Sequence, residues 1–316
     1  MKKTINSTHI EGLIYEHVLE SRVTGENSKN PGTPFIMGTL NIATDDACEN
    51  IVPVHFTYVT ATTSTGKNNA TYGVLQDIID GKMKTIMGGA SRDEAAKIRI
   101  DSAIGLNEFY SERNGTEELV SVKRNEGGFC HKTDTLAVDE NNRNTFKCDM
   151  LITSVAETEA DPEKGTDAYV TLKGATFDFR GELLPIELIA QHPGAIQYFL
   201  SLDASPSQPV FTQVWGKQIS QTVVTKKVTE SAFGDPHVEE VTRSRKAWVV
   251  TGAAPDPYEW DSEESITAAE LKELMAKRET YLATVKKRQD EYKAQKTAAN
   301  APANKGTSTS AGGFNF

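Results

Sequence analysis

Phe35-Ile36-Met37-Gly38-Thr39-Leu40-Asn41-Ile42 is an alternating run in which every second side chain is a candidate for one buried face of a strand. An apolar stretch, Leu13-Ile14-Tyr15 to Val23, precedes it across a polar loop (Gly25 to Gly32), and Ile51-Val52-Pro53-Val54-His55-Phe56 follows. Tyr72 to Ile79 then has helical character. Strand-like stretches at Ile98–Phe109 and near Leu119–Lys123 flank Arg113-Asn114-Gly115-Thr116, a hairpin-turn signal.

The same order recurs downstream. Phe146–Val155, Tyr169–Phe179 and Leu183–Ile189 supply three runs, Pro193–Leu202 a helix, and Phe211–Val228 and Val238–Val250 two long alternating runs. Three strands, a helix and two strands is the order of an OB barrel, whose open face commonly holds single-stranded nucleic acid. The expectation is a mainly β chain of tandem OB-like five-stranded barrels with a C-terminal helix and a disordered tail. Its divisions are a flexible arm at 1–10, a first unit at 11–138 and a second at 145–253. An acidic linker at 254–266, a helix at 267–296 and a tail at 297–316 complete it.

Length and composition fit that scheme. The 316 residues suit roughly two domains of 100–150 residues with a tail, and 38% hydrophobic content supports real cores. No run approaches the roughly 20 apolar residues of a membrane-spanning helix. Met1-Lys2-Lys3 is followed by polar residues rather than an apolar secretory core. A soluble, cytoplasmic protein with no membrane partner is expected. Cys48, Cys130 and Cys148 show no C-x-x-C spacing and read as ordinary thiols rather than as zinc ligands or a disulfide framework.

The net charge is −10, whereas nucleic-acid binders usually carry a basic balance. Much of the acid is local. Asp256, Glu259, Asp261, Glu263 and Glu264 share one segment, and Glu157, Glu159, Asp161, Glu163 and Asp167 another, against only Lys164. The remainder is near neutral, which permits nucleic acid without demanding it.

No G-x-S-x-G, H-E-x-x-H, Walker loop or Rossmann fingerprint occurs, and the six histidines show no ligand spacing. The reading is therefore non-enzymatic, with no cofactor and no metal. Sequence-tolerant recognition of single strands needs aromatic faces for bases beside cations for phosphates. Segments mixing the two nominate Tyr58, Lys67, Tyr110, Arg113, Lys123, Arg124, Phe129 and Lys132 in the first unit. Trp215, Lys217, Lys226, Lys227, Arg243, Arg245 and Lys246 are nominated on the long hairpin of the second. Trp215 and Trp248 have an alternative place in the core. Strict alternation would send Tyr58 inward with Val54 and Phe56, leaving His55 outside.

After Pro257, Thr267 and Glu270 have capping-box spacing. Leu271, Leu274, Arg278, Tyr281, Val285, Arg288 and Tyr292 follow a 3-4 repeat. They suit a helix that lies on its own domain or forms with a partner.

Ile10-Glu11-Gly12-Leu13-Ile14 and Gly32-Thr33-Pro34-Phe35-Ile36-Met37-Gly38-Thr39-Leu40-Asn41-Ile42-Ala43-Thr44-Asp45 resemble the opening of bacteriophage and mobile-element single-stranded DNA-binding proteins of the OB kind. The resemblance covers about 50 residues. It implies a groove wall built by the first two strands, and a protein that coats and protects single-stranded DNA in phage replication or recombination. It also implies recruitment of replication or recombination proteins through terminal aromatics, here Phe314 and Phe316, although the acids that usually flank them lie upstream at 256–264. A virion accessory β-protein and an OB-type protein-binding adaptor are the rival readings.

Overall fold

Each half of the chain closes a ring of five strands. The computed structural model describes residues 4–26, 28–161, 167–229, 233, 237–262 and 265–299, with side chains described outside 222–229, 237–244 and 295–299. The first ring uses β1 (Asn6–Val23), β2 (Pro34–Ala43), β3 (Ile51–Thr60), β4 (Lys97–Arg113) and β5 (Thr116–Lys132), with α1 (Ala70–Ile79) after β3. The second uses β6 (Asn144–Thr158), β7 (Tyr169–Phe177), β8 (Leu183–Ala190), β9 (Val210–Thr229) and β10 (His237–Ala253), with α2 (Pro193–Ser201) after β8. α3 (Ala268–Ala299) follows.

β1–β2, β2–β3, β4–β5 and β1–β4 pair antiparallel, and a short parallel ladder, Val54↔Asn125 and His55↔Glu126, joins β3 to β5. The second ring repeats this order, closed between β8 and β10 only at Val249↔Ile189. Both are OB barrels, narrowly closed. The expected turn joins β4 and β5, with Asn114 and Gly115 both at positive φ, as a two-residue hairpin of right-handed twist requires. Asn69 caps α1, and the His192 side chain caps α2, whose first turn holds Pro193.

The barrels are not beads on a string. β1 and β6 pair antiparallel from Asn6↔Cys148 to Ile10↔Asn144. Ile14 and Ile152 correspond in the two copies, since each precedes the bulge at which its strand meets the next one. Counting back, Thr8 corresponds to Phe146, and these two are partners in the ladder. Two equivalent antiparallel strands paired at equivalent positions are related by a local two-fold axis.

Ile10, Leu40, Ile42, Val54 and Phe56 lead the first core, closed by Leu75 and Ile78 of α1. Phe146, Met150, Leu172, Leu188 and Phe199 lead the second, which also takes in Ile104 and Leu106 from the β4 arm of the first barrel. A third cluster joins Leu151, Phe177, Leu183 and Phe211 to Ile266, Leu271 and Leu274 beneath α3.

Three sequence expectations change. Residues 6–10, read as a loose arm, lie in β1 between β4 and β6. Their polar side chains hid this because they are satisfied internally: Asn6 bonds both backbone groups of Ile104, and His9 meets Asp101. Residues 254–266 are more than an acidic linker. The Tyr258 hydroxyl donates to Asp149 at 3.1 Å, Trp260 Nε1 donates to the Pro209 carbonyl at 3.2 Å, and Ile266 is buried. The helix also runs beyond 296, to Ala299. Its capping box forms as expected, with Thr267 N donating to Glu270 and Glu270 N to the Thr267 hydroxyl.

Candidate nucleic-acid interface

In an OB barrel the outer face of the second and third strands, with the flanking loops, is where oligonucleotides lie. On the first barrel that face is built in rows across β1, β2 and β3. Val18, Thr39 and His55 form one, Glu20 and Met37 the next, Arg22, Phe35 and Thr60 another. At the middle row β3 carries one residue more than β2, a bulge at Thr57-Tyr58 opposite Met37. The extra residue reverses the alternation. Val59 therefore packs on the core and Tyr58 turns outward, 51% exposed, with its ring 4.8 Å from that of Phe35. Strict alternation would have buried Tyr58.

His55 shares a hydrogen bond with the Thr39 hydroxyl at 3.1 Å. Burial holds its imidazole below the usual pKa and Arg124 adds to that, while Glu126 opposes it. Arg124 pairs with Glu126 at 2.7 Å, and Glu126 also accepts from Thr57. Lys67 is exposed on the loop after β3.

The corresponding face of the second barrel is a groove of about 450 Å³. Thr171 and Ile189 take the places of Thr39 and His55, and Tyr169 that of Met37. Tyr169, Ile189 and Trp248 supply apolar wall, and Arg245, Lys246 and Lys123 supply cations, against Asp167 and Glu187. Arg245 and Lys246 are exposed, with Arg245 donating to Gln191 at 2.9 Å. Lys123 comes from the first barrel. Its ammonium donates to the Glu187 carbonyl and sits 5.8 Å from the Trp248 ring centre. Burial lowers its pKa from 10.5 to about 8, with Glu187 pulling the other way. Lys123 and Lys246 occupy corresponding places, each three residues before the residue that closes its ring, yet both line this one groove.

The other nominated residues scatter. Tyr110 is covered by α3: its N–H donates to Gln289 at 2.7 Å and Lys286 lies 5.5 Å from its ring centre. Arg113 is at the hairpin tip, and Phe129, 70% exposed, and Lys132 are on β5, away from both faces described. Trp215 lies against Gly252, where a Cβ would meet its indole nitrogen at 2.3 Å. Lys217 donates to Asn141 at 3.3 Å. Neither lines the groove. Lys226, Lys227 and Arg243 have described backbones only, in register with Glu240, Glu239 and Val223. Phe314 and Phe316 lie outside the described residues. Phe35 and Tyr169 escaped the sequence reading. Their signal was present, since each occupies an outward position on the second strand of its barrel.

Among the described residues no group of His, Cys, Asp and Glu could hold a metal ion, and no helix is long and apolar enough to cross a membrane. Two OB barrels fused about a shared β ladder, each presenting an aromatic-lined outer face, define a tandem OB-barrel protein. The chain belongs to the YorF family, whose model matches residues 4–289. No curated protein matches it. Solved structures similar to it include the wild-type single-stranded DNA binding protein from Thermus aquaticus, 10% identical, covering 82% of this chain and 96% of that one with a TM-score of 0.44. A deletion mutant of the same Thermus protein is 12% identical and covers 84% of this chain and 100% of its own, with a TM-score of 0.47.

Proposed function

We propose that this protein binds single-stranded DNA without catalysing a reaction, coating and protecting strands exposed during phage replication or recombination. The observation that carries this is the groove of the second barrel. It occupies the face that OB barrels use for oligonucleotides, and Tyr169 and Trp248 stand there beside Lys123, Arg245 and Lys246. Aromatic faces accept any base, and the cations take phosphates, so the chemistry favours sequence-tolerant contact. The Phe35–Tyr58 pair supplies a second stacking platform on the matching face of the first barrel.

Anisotropy of a labelled oligothymidine at two salt concentrations tests this, with a duplex of equal length as comparator. Tight binding to the single strand, weakened steeply by salt, is expected from counterion release. Equal affinity for duplex, or no binding at low salt, would overturn it in favour of a virion accessory or protein-adaptor role. In this reading Phe314 and Phe316 engage a replication or recombination protein. A chain truncated after Asn304 should then lose that partner while keeping its oligonucleotide affinity.

A further inference from the structure

We infer that the two faces hold segments of one DNA strand running in opposite directions, so that a single protein molecule folds the strand back on itself. This rests on the single-strand reading above and extends it to the path.

The relation between the faces comes from register alone. Thr8 and Phe146 are corresponding residues and are paired across an antiparallel ladder, which places a two-fold axis between them, normal to the local sheet. The faces obey the same correspondence: Thr39 pairs with His55 as Thr171 pairs with Ile189. The axis is held rigidly. Ile104 of the first barrel is buried in the second barrel's core, and Asn125 and Gln218 bond each other across the seam.

A nucleic-acid strand is polar. Equivalent faces accept it in the same sense relative to their own strands. A two-fold axis maps 5′ end to 5′ end and 3′ end to 3′ end, and reverses every component of direction perpendicular to itself. Two segments so related cannot follow one another as a straight track. The 3′ end of the first must cross to the 5′ end of the second through nucleotides that neither face holds, and by the same symmetry the outer ends of the strand lie only as far apart as that crossing spans.

The probe is an oligothymidine of about 40 nucleotides, longer than two OB footprints of roughly 4–16 nucleotides each, with donor and acceptor dyes at its two ends. At one protein per oligonucleotide, energy transfer is expected to rise above that of the free strand. Arg245→Ser with Lys246→Ser, which weakens the second face, should lower affinity and, at protein concentrations that restore saturation, lose the rise. Bound oligonucleotide with transfer at or below the free value means an extended track and overturns the inference while leaving single-strand binding intact. Absence of any anisotropy change at low salt removes the single-strand reading and the inference with it.

Discussion

Asn125 and Gln218 each donate a side-chain N–H to the other's amide oxygen at 2.8 Å, buried at the seam of the two barrels. Asn125 also donates to the Pro53 carbonyl at 2.9 Å, and the Gln218 main-chain carbonyl accepts from Asn50 and Asn144. Four amide side chains from both barrels thus converge where an apolar seam would have allowed sliding. Hydrogen-bond geometry sets the relative position of the barrels as well as adding stability.

Gln218→Leu tests that seam. It leaves the buried Asn125 Oδ1 without its donor, while Nδ2 keeps the Pro53 carbonyl, and an unsatisfied buried polar group costs about 1–3 kcal/mol. The denaturant midpoint should fall accordingly. A variant as stable as the parent would mean that water or relaxation replaces the lost partner.

Arg278 of α3 pairs with Glu108 of the β4 arm, whose side chain is only 1% exposed. Arg278→Met leaves that carboxylate buried alone, a loss of about 3–5 kcal/mol when a buried pair is broken from one side. Chemical unfolding should show the loss, and limited proteolysis should cut α3 faster. Adding Glu108→Gln to Arg278→Met should recover part of both effects.

Tyr58→Ala removes the exposed half of the Phe35–Tyr58 pair without opening the core. Stacking contributes about 1–3 kcal/mol per base. Oligonucleotide affinity should drop by that amount, with the unfolding midpoint nearly unchanged.

Arg245→Ser with Lys246→Ser removes two groove cations. For single strands the slope of log K against log salt is about −0.7 per phosphate neutralised, so it should become shallower by about 1.4. An unchanged slope would place the phosphates elsewhere.

Lys123 gives a pH signature. Its folded pKa of about 8 lies below its ordinary 10.5, so the unfolded chain binds the proton more tightly. Stability should therefore rise as pH increases from about 8 to about 10.5, where burial no longer opposes a charge. Over the lower part of that window the groove loses a cation, and oligonucleotide affinity should fall. Lys123→Met should flatten the stability rise; persistence of the full rise would assign it to another group.

Much of the fold was legible in local sequence because its causes are local. Alternation in Phe35–Ile42, the Asn114-Gly115 turn and the Thr267–Glu270 box depend on neighbours within a few residues, so strand order, hairpin and helix start could be read directly. Tertiary structure decided the rest. The Thr57-Tyr58 bulge exists because β3 pairs with β2 in a register that leaves one residue over, and it alone sends Tyr58 outward. Lys123 and Tyr110 read as surface groups, but one is half-buried against the second barrel and the other is covered by α3, both through contacts distant in sequence. The strand at residues 6–10 looked like an arm because its polar side chains find their partners across the chain. Alternation says which residues share a face of a strand; only pairing between distant strands decides what that face meets.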